Sequence, residues 1–362
     1  MALSTEILFQ PVTIGSLTLP NRVVMAPMTR SHCPGGVPTA AVADYYARRA
    51  AHDVGLIITE GVLIEDPAAG GYPDCPVIYG REALEGWRLV IDRVHAAGGR
   101  IMPQIWHVGE VHRLGAPPNA HLPGLGPSEV RDGDQVVVRA MDEADIERVV
   151  AAFADAARNA REIGFDGVEI HGAHGYLIDQ FLWEQTNRRE DAFGGDFTRR
   201  LRFAEEVVKA VRGAVGDNFP VVFRFSQWKP QDYSARLAPT PELLAALLLP
   251  LKEAGVDWFH ASSRRYHEPE FPGSGLNLAG WAKAITNSPT ISVGSVGLDD
   301  VSWMEANAAG LEPLLERLLG NEFELVAVGR ALLADYAWAR KVREGRFSEL
   351  IPYTRAALSS LN

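Results

Sequence analysis

At 362 residues, 47% of them hydrophobic, the chain has enough apolar material for one large core or two ordinary domains. A formal net charge of −11 argues against a nucleic-acid surface, which needs clustered Lys and Arg against phosphate. Cys33 and Cys75 are the only cysteines, too few for a disulfide framework, a zinc ribbon or a four-cysteine iron–sulfur cluster.

Residues 1–10 carry no basic-then-apolar leader pattern, and the longest apolar run, 243–249, is cut by Pro250 and far too short for a bilayer. A cytoplasmic protein without membrane spans is expected. Residues 8–21 read as a short hairpin. Residues 22–26 predict a strand, and 39–52 a helix with Thr39 as its N-cap. A continuous apolar strand over 55–60 is followed by a helix over 81–97 with Gly98 and Gly99 as its stop, then by a third strand over 100–106. Pro- and Gly-rich residues 115–127 lead into a hairpin turning at Asp132 and Gly133. An amphipathic helix over 142–163 ends at Gly164, before a fourth strand over 167–170.

The second half repeats the scheme: helices over 198–215, 241–254, 278–286 and 312–319 precede strands over 221–225, 258–261, 290–293 and 324–328. Strands apolar on both faces and alternating with helices suit a covered parallel sheet. Eight such units predict an α/β fold, a closed (β/α)8 TIM barrel over 1–362 as one domain, its N-terminal mouth capped by the β-hairpin. A doubly wound sheet is the rival, but no Gly-x-Gly-x-x-Gly follows the first strand. The arginine pairs at 48–49, 188–189, 199–200 and 264–265 read mostly as solvated surface.

In a (β/α)8 barrel the chemistry sits at the C-terminal strand ends. Those ends carry Pro27 and Thr29 after strand one, Glu60 and Gly61 after two, Gln104, Trp106 and His107 on and after three, Arg224 on five, and Ser262 and Ser263 after six. Strand seven ends in Gly294 and Gly297, and strand eight in Gly329 and Arg330. Loops seven and eight are the usual phosphate site of such barrels, and an arginine adds a bidentate partner for phosphate oxygens. The bland alternative is that the glycines only make tight turns. Arg224, in the apolar run VFRF, must pair with something: a carboxylate within the protein, or a polar heterocycle over the barrel top.

Residues 168–181, VEIHGAHGYLIDQF, run from strand toward helix with His171, His174 and Tyr176 closely spaced. Two imidazoles can grip one substrate oxygen while a phenol delivers a proton. The same spacing could be half a metal site completed by Glu169 or His107; no metal is expected, because strand one offers no ligand.

Together these residues resemble the Old Yellow Enzyme family of FMN-dependent ene-reductases. The resemblance covers residues 8–11 (LFQP), 21–29 (NRVVMAPMT), 38–46 (PTAAVADYY), 104–109 (QIWHVG), 187–195 (NRREDAFGG) and 328–331 (VGRA). It implies tightly bound, non-covalent FMN across the barrel top. Pro27, Thr29, Gly61, Gln104 and Arg224 match positions around the isoalloxazine ring, and Gly294, Gly297, Gly329 and Arg330 match the phosphate site. Tyr72 and Trp106 match positions that shape the substrate pocket. The implied reaction takes hydride from NADPH or NADH by way of FMN to the β-carbon of an electron-poor alkene, an α,β-unsaturated carbonyl or nitro compound. His171 and His174 then hold the substrate oxygen and Tyr176 protonates the α-carbon.

Three departures stand out. Thr29 occupies a position where many relatives have cysteine. The stretch RFSQWK at 224–229 differs from the commoner Arg-x-Ser-Pro. The tail at 351–362 lacks the glycine- and tyrosine-rich ending of several relatives, so one aromatic wall of the pocket is expected either to be missing or to be supplied by Tyr266, His267 or Phe271. Two alternatives remain open at this point: an FMN-dependent N-demethylase or amine dehydrogenase, and a flavin-free phosphate-binding lyase or isomerase using Lys229 or Glu60. A homo-oligomer is compatible with the chain.

Overall fold

The computed structural model describes residues 3–299 and 304–362. Eight strands close in parallel: β1 (Val23–Met25), β2 (Leu56–Leu63), β3 (Arg100–Trp106), β4 (Val168–His171), β5 (Val221–Phe225), β6 (Trp258–Ser262), β7 (Thr290–Val293) and β8 (Leu325–Val328). Each pairs with its neighbours in chain order, and β8 pairs with β1. The principal outer helices are α1 (Ala40–Ala50), α2 (Arg81–Ala96), α3 (Glu143–Ile163), α4 (Phe197–Val215), α5 (Pro241–Ala254), α6 (Leu278–Thr286) and α7 (Glu312–Leu319). The expected (β/α)8 barrel is the observed one.

Alternation along each strand sorts the side chains between two apolar regions. Val24, Ile58, Met102, Val222, Trp258, Ile291 and Leu325 fill the barrel interior, while Val23, Ile57, Ile101, Val221, Phe223 and Phe259 pack outward under the helices. The hairpin over Val12–Ile14 and Leu17–Leu19 turns at Gly15 and sends Ile14, Leu17 and Leu19 into the interior set, so it plugs the N-terminal mouth as expected. The second hairpin also forms, pairing Val130–Asp132 with Gln135–Ala140.

Local caps explain several helix starts. Asp142 and Asp145 form a reciprocal capping box at α3, and the Asp196, Thr240 and Asn277 side chains cap α4, α5 and α6. Strand β2 runs three residues past its expected end, through a register shift between Ile58 and Gly61. The turn toward helix expected within 168–181 is the short helix Leu177–Leu182, with Tyr176 at its start; the short helix Arg330–Ala334 was not expected. Arg49 departs from the surface reading of its pair: it is buried over the Tyr45 ring and donates to the carbonyls of Tyr45 and Leu332.

Candidate functional site

At the C-terminal end of the barrel two cavities adjoin, sharing Pro27, His174, Arg224 and Trp228 in their walls. The larger, about 370 Å³, runs from Met28 across Ser262 and Ser263 to Gly294, Ser295, Gly329 and Arg330. The smaller, about 230 Å³, is walled by Thr29, Gln104, Trp106, His171 and Tyr176. The two make one trough, with a glycine- and arginine-lined end over β7 and β8 and an aromatic end over β3 and β4.

At the first end, Gly294 has φ +153°, and a Cβ placed on it would lie 2.7 Å from the Ser263 carbonyl oxygen. Only glycine fits this close approach of two strand ends. Arg330 Nη2 lies 3.4 Å from Ser295 Oγ, which keeps the guanidinium beside the β7 turn. Gly297 has a different task. It lies against the Trp338 indole, 2.8 Å from where its Cβ would be, and does not line the trough. Gly61 likewise stays out of the wall. A Cβ there would overlap the Trp106 ring at 1.9 Å, so this glycine lets Trp106 lie across β2 and form the wall itself.

At the aromatic end, His171 closes β4 and pairs in register with Arg224 of β5. The Ala173 N–H donates to His171 Nδ1 at 3.3 Å. Burial, reinforced by the Arg224 charge, holds His171 well below the usual histidine range. The ring is therefore neutral, and its one proton sits on Nε2, ready to donate.

His174 is held differently. Its φ of +61° is a left-handed backbone that a residue with a Cβ rarely adopts, costing about 1–3 kcal/mol where it occurs. Its N–H donates to Ser226 Oγ at 3.0 Å, which fixes the turn. Burial first, then Arg224, keeps this ring neutral too. Its Nε2 is 2.8 Å from Ser262 Oγ, and that hydroxyl also accepts from Arg224 Nη2 at 3.3 Å. Nε2 is thus engaged whichever group donates. Only Nδ1 is left for a substrate oxygen, and it can donate only when Ser262 gives its proton to Nε2. The expected pair of equivalent donors becomes one free donor and one conditional one.

Tyr176 stands edge-on to both Trp106 and His171, at 4.8 and 5.0 Å between ring centroids. Its hydroxyl is 3.3 Å from that of Tyr72, and Tyr72 stacks on Trp106 at 5.8 Å. Burial pushes the Tyr176 phenol far above the ordinary tyrosine range, so it keeps its proton at any working pH. Arg224 is buried, its Nε has no partner, and among the described residues no carboxylate lies within ion-pair reach of it. Its guanidinium donates to Ser262 Oγ, which favours a polar ligand over an internal salt bridge as the reason for this arginine.

Other expected residues lie elsewhere. Tyr266 and Phe271 are buried, Phe271 packs on Trp281, and neither they nor His267 line the trough. The aromatic wall comes instead from Trp228 and Tyr233. Trp228 packs on His174 at 4.8 Å and donates from Nε1 to the Ser262 carbonyl, Tyr233 follows at 5.7 Å, and Arg264 covers the Tyr233 ring at 4.0 Å. The departure from Arg-x-Ser-Pro falls at Gln227, and Trp228 is the residue that follows it.

His107 accepts from the Gly109 N–H and faces Asp66, away from His171. Among the described residues no three His, Cys, Asp or Glu side chains gather as metal ligands. Lys229 is sealed in an ion pair with Asp179 at 2.7 Å, both side chains fully buried, and does not reach the trough. No helix among the described residues is long and apolar enough to cross a membrane.

Glu60 lies behind the loop that carries Thr29. One oxygen accepts from the Arg30 and Ser31 N–H groups at 2.7 and 3.0 Å, and the other has no partner. Burial pushes its pKa up to about 7, against the pull of those two N–H groups and Arg30. A carboxyl raised in the folded state stabilises below its unfolded pKa and loses that contribution as pH climbs through the folded value. Glu60→Gln keeps an oxygen for both N–H groups and removes the titration. Its melting temperature relative to wild type is expected to gain by several degrees between pH 4.5 and pH 7 and then level off, reflecting a burial cost of about 3 kcal/mol. A pH-independent difference between the two melting curves would show that Glu60 does not titrate there.

The chain matches the model of the NADH:flavin oxidoreductase / NADH oxidase family over residues 7–349. It is 44% identical to the putative 12-oxophytodienoate reductase 2 of Oryza sativa subsp. japonica over 214 residues, which are 58% of this chain and 56% of that protein. It is 34% identical to the NADH oxidase of Thermoanaerobacter brockii over 356 residues, which are 95% of this chain and 52% of that protein. The chain thus spans little more than half the length of these two relatives. Among solved structures, morphinone reductase in complex with tetrahydroNAD superposes with a TM-score of 0.79 at 29% identity, over 98% of this chain and 97% of that one. The chain belongs to the NADH:flavin oxidoreductase / NADH oxidase family, the Old Yellow Enzyme family of FMN-dependent oxidoreductases served by a nicotinamide reductant.

Proposed function

We propose that the chain is an ene-reductase, reducing α,β-unsaturated carbonyl or nitro compounds at the expense of NADPH or NADH. The observation that carries this reading is the joining of one free imidazole donor, His171 Nε2, and one protonated phenol, Tyr176, at the aromatic end of a trough whose other end suits a phosphate. The residues fit FMN on two counts. Gly294 and Gly329 line the far end of the trough without side chains, and the buried Arg224 Nε has no partner within the protein.

Gly294, Ser295, Gly329 and Arg330 would hold the phosphate, and Pro27, Thr29, Gln104 and Arg224 the ring. When bound, FMN supplies hydride-transfer chemistry between nicotinamide and alkene. His171 binds the carbonyl or nitro oxygen through Nε2 and draws electron density from the double bond, with His174 joining through Nδ1 when Ser262 turns its proton inward. Tyr176 holds the proton for the α-carbon, and Trp106 and Tyr72 keep water away from it. Gly61 yields the space in which Trp106 lies.

The purified chain is expected to be yellow, to bleach with NADPH or NADH in the absence of oxygen, and to recover its colour on adding an enone or nitroalkene. A colourless protein that takes up no FMN would overturn the reading. A protein reoxidised by oxygen but by none of a panel of enones, nitroalkenes and nitrate esters would overturn the substrate class alone.

A further inference from the structure

Beneath the aromatic end of the trough lie two ionisable groups with no part in the reaction above. Glu169 of β4 and His260 of β6 are both fully buried. They face inward by the alternation that turns Val168, Ile170 and Phe259 outward. His260 Nδ1 is 2.6 Å from Glu169 Oε2, and Gln104 Nε2 donates to Glu169 Oε1 at 2.7 Å. The second bond fixes which way the Gln104 amide points. With its NH2 turned down to the carboxylate, the carbonyl oxygen is the atom left for the trough that Gln104 lines.

Arg224 stands one layer higher. Its strand neighbour Val222 pairs with Glu169, while Arg224 itself pairs with His171 and His260. Glu169 is the carboxylate whose charge acts on the Arg224 guanidinium, though it makes no ion pair with it. Burial holds His260 below the usual histidine range despite the pull of Glu169. It is a neutral donor to the carboxylate, so the negative charge of Glu169 is left to offset Arg224.

We propose that Glu169, anchored by His260, is a positioning residue that presents Gln104 as an acceptor to the FMN ring and, through Arg224, sets how much positive charge that ring meets. The proposal rests on the reading that FMN occupies the trough. In a desolvated layer a charge one strand away is weakly screened, so removing the carboxylate leaves the guanidinium uncompensated. Negative charge taken up by the ring on reduction is then better accommodated, and the midpoint potential rises.

Glu169→Gln, titrated potentiometrically with FMN bound, is expected to shift the reduction equilibrium about tenfold toward the reduced form, about +30 mV for a two-electron couple. Glu169→Asp, which keeps the charge, stays close to wild type. In an Arg224→Gln background the Glu169→Gln shift vanishes. A shift of undiminished size in that background, or a Glu169→Gln protein with lowered melting temperature and unmoved potential, would overturn the proposal. Should Glu169→Gln not fold, His260→Leu and His260→Gln decide. Leu removes the hydrogen bond that anchors the carboxylate, so its charge is no longer held in place below Arg224 and the potential rises; Gln retains a donor and leaves it in place. Equal potentials in the two variants would refute the route through Glu169. Failure of the FMN reading looks different, since the wild-type chain would then bind no flavin and yield no potential.

Discussion

Tyr176→Phe is expected to leave reduction of the bound flavin by NADPH or NADH at the wild-type rate and to slow alkene reduction by about 10²–10⁴-fold, or about 3–5 kcal/mol of barrier. The substitution removes one oxygen and keeps the ring that packs edge-on to Trp106 and His171 at 4.8 and 5.0 Å. Substrate binding through His171 Nε2 is therefore preserved, and the loss falls on kcat for the alkene with little change in KM. Stopped-flow measurement of the two half-reactions checks this. An equal fall in both would mark Tyr176 as a structural aromatic, and no fall in either would assign the proton to another donor. Tyr72→Phe is the control. Tyr72 meets Tyr176 only by a hydroxyl contact at 3.3 Å, so it orients the phenol without replacing it, and a small effect is expected. Because burial holds the Tyr176 proton so firmly, the alkene half-reaction is also expected to show no alkaline limb from this residue across the neutral range.

The barrel was legible because its strands and helices are local statements. Runs such as residues 221–225 are apolar on both faces, as a covered parallel strand requires, and the helices announce their starts with Asp142, Thr240 and similar caps. The strand ends were legible for the same reason: once the fold is a barrel, the residue after each strand faces the site. That reasoning put His171, Tyr176, Gln104, Arg224, Gly294, Gly329 and Arg330 along the trough, and the structure brings these residues together. It also swept in Gly61 and Gly297, which stand at strand ends yet make room for Trp106 and Trp338. A glycine at a strand end looks the same in sequence whether it yields space to a ligand or to an indole.

What stayed hidden depends on pairs far apart in the chain. Glu169 and His260 are 91 residues apart, and Asp179 and Lys229 are 50 apart. No spacing rule links them, and only the closed sheet brings them into contact. The aromatic wall was expected to be absent or to come from Tyr266, His267 or Phe271, yet Tyr266 and Phe271 both turn inward. Trp228 and Tyr233 lie in a stretch that fits no regular period, and there the unusual residues themselves were the clue.

Lys229→Met carries the second large effect. Lys229 and Asp179 are an ion pair with no exposed surface on either side chain, and Asp179 Oδ2 also accepts from the Gly175 N–H at 2.7 Å. One carboxylate thus ties the Trp228–Lys229 loop to the turn between His174 and Tyr176. Removing the ammonium leaves a buried carboxylate without its counter-charge, which costs about 3–5 kcal/mol. Burial already pushes Asp179 above the ordinary aspartate range against the pull of Lys229, so in the variant it takes up a proton. The expected result is a strongly lowered melting temperature together with a fall in alkene kcat, since the left-handed His174 depends on this turn. Pairing Lys229→Met with Asp179→Asn should recover much of the stability, because the charge is gone and an oxygen remains for the Gly175 N–H. Recovery of stability without recovery of kcat would show that the ammonium also orders the site through its loop. Recovery of both would confine the pair to holding the fold. A Lys229→Met protein as stable as wild type would contradict the ionised pair itself.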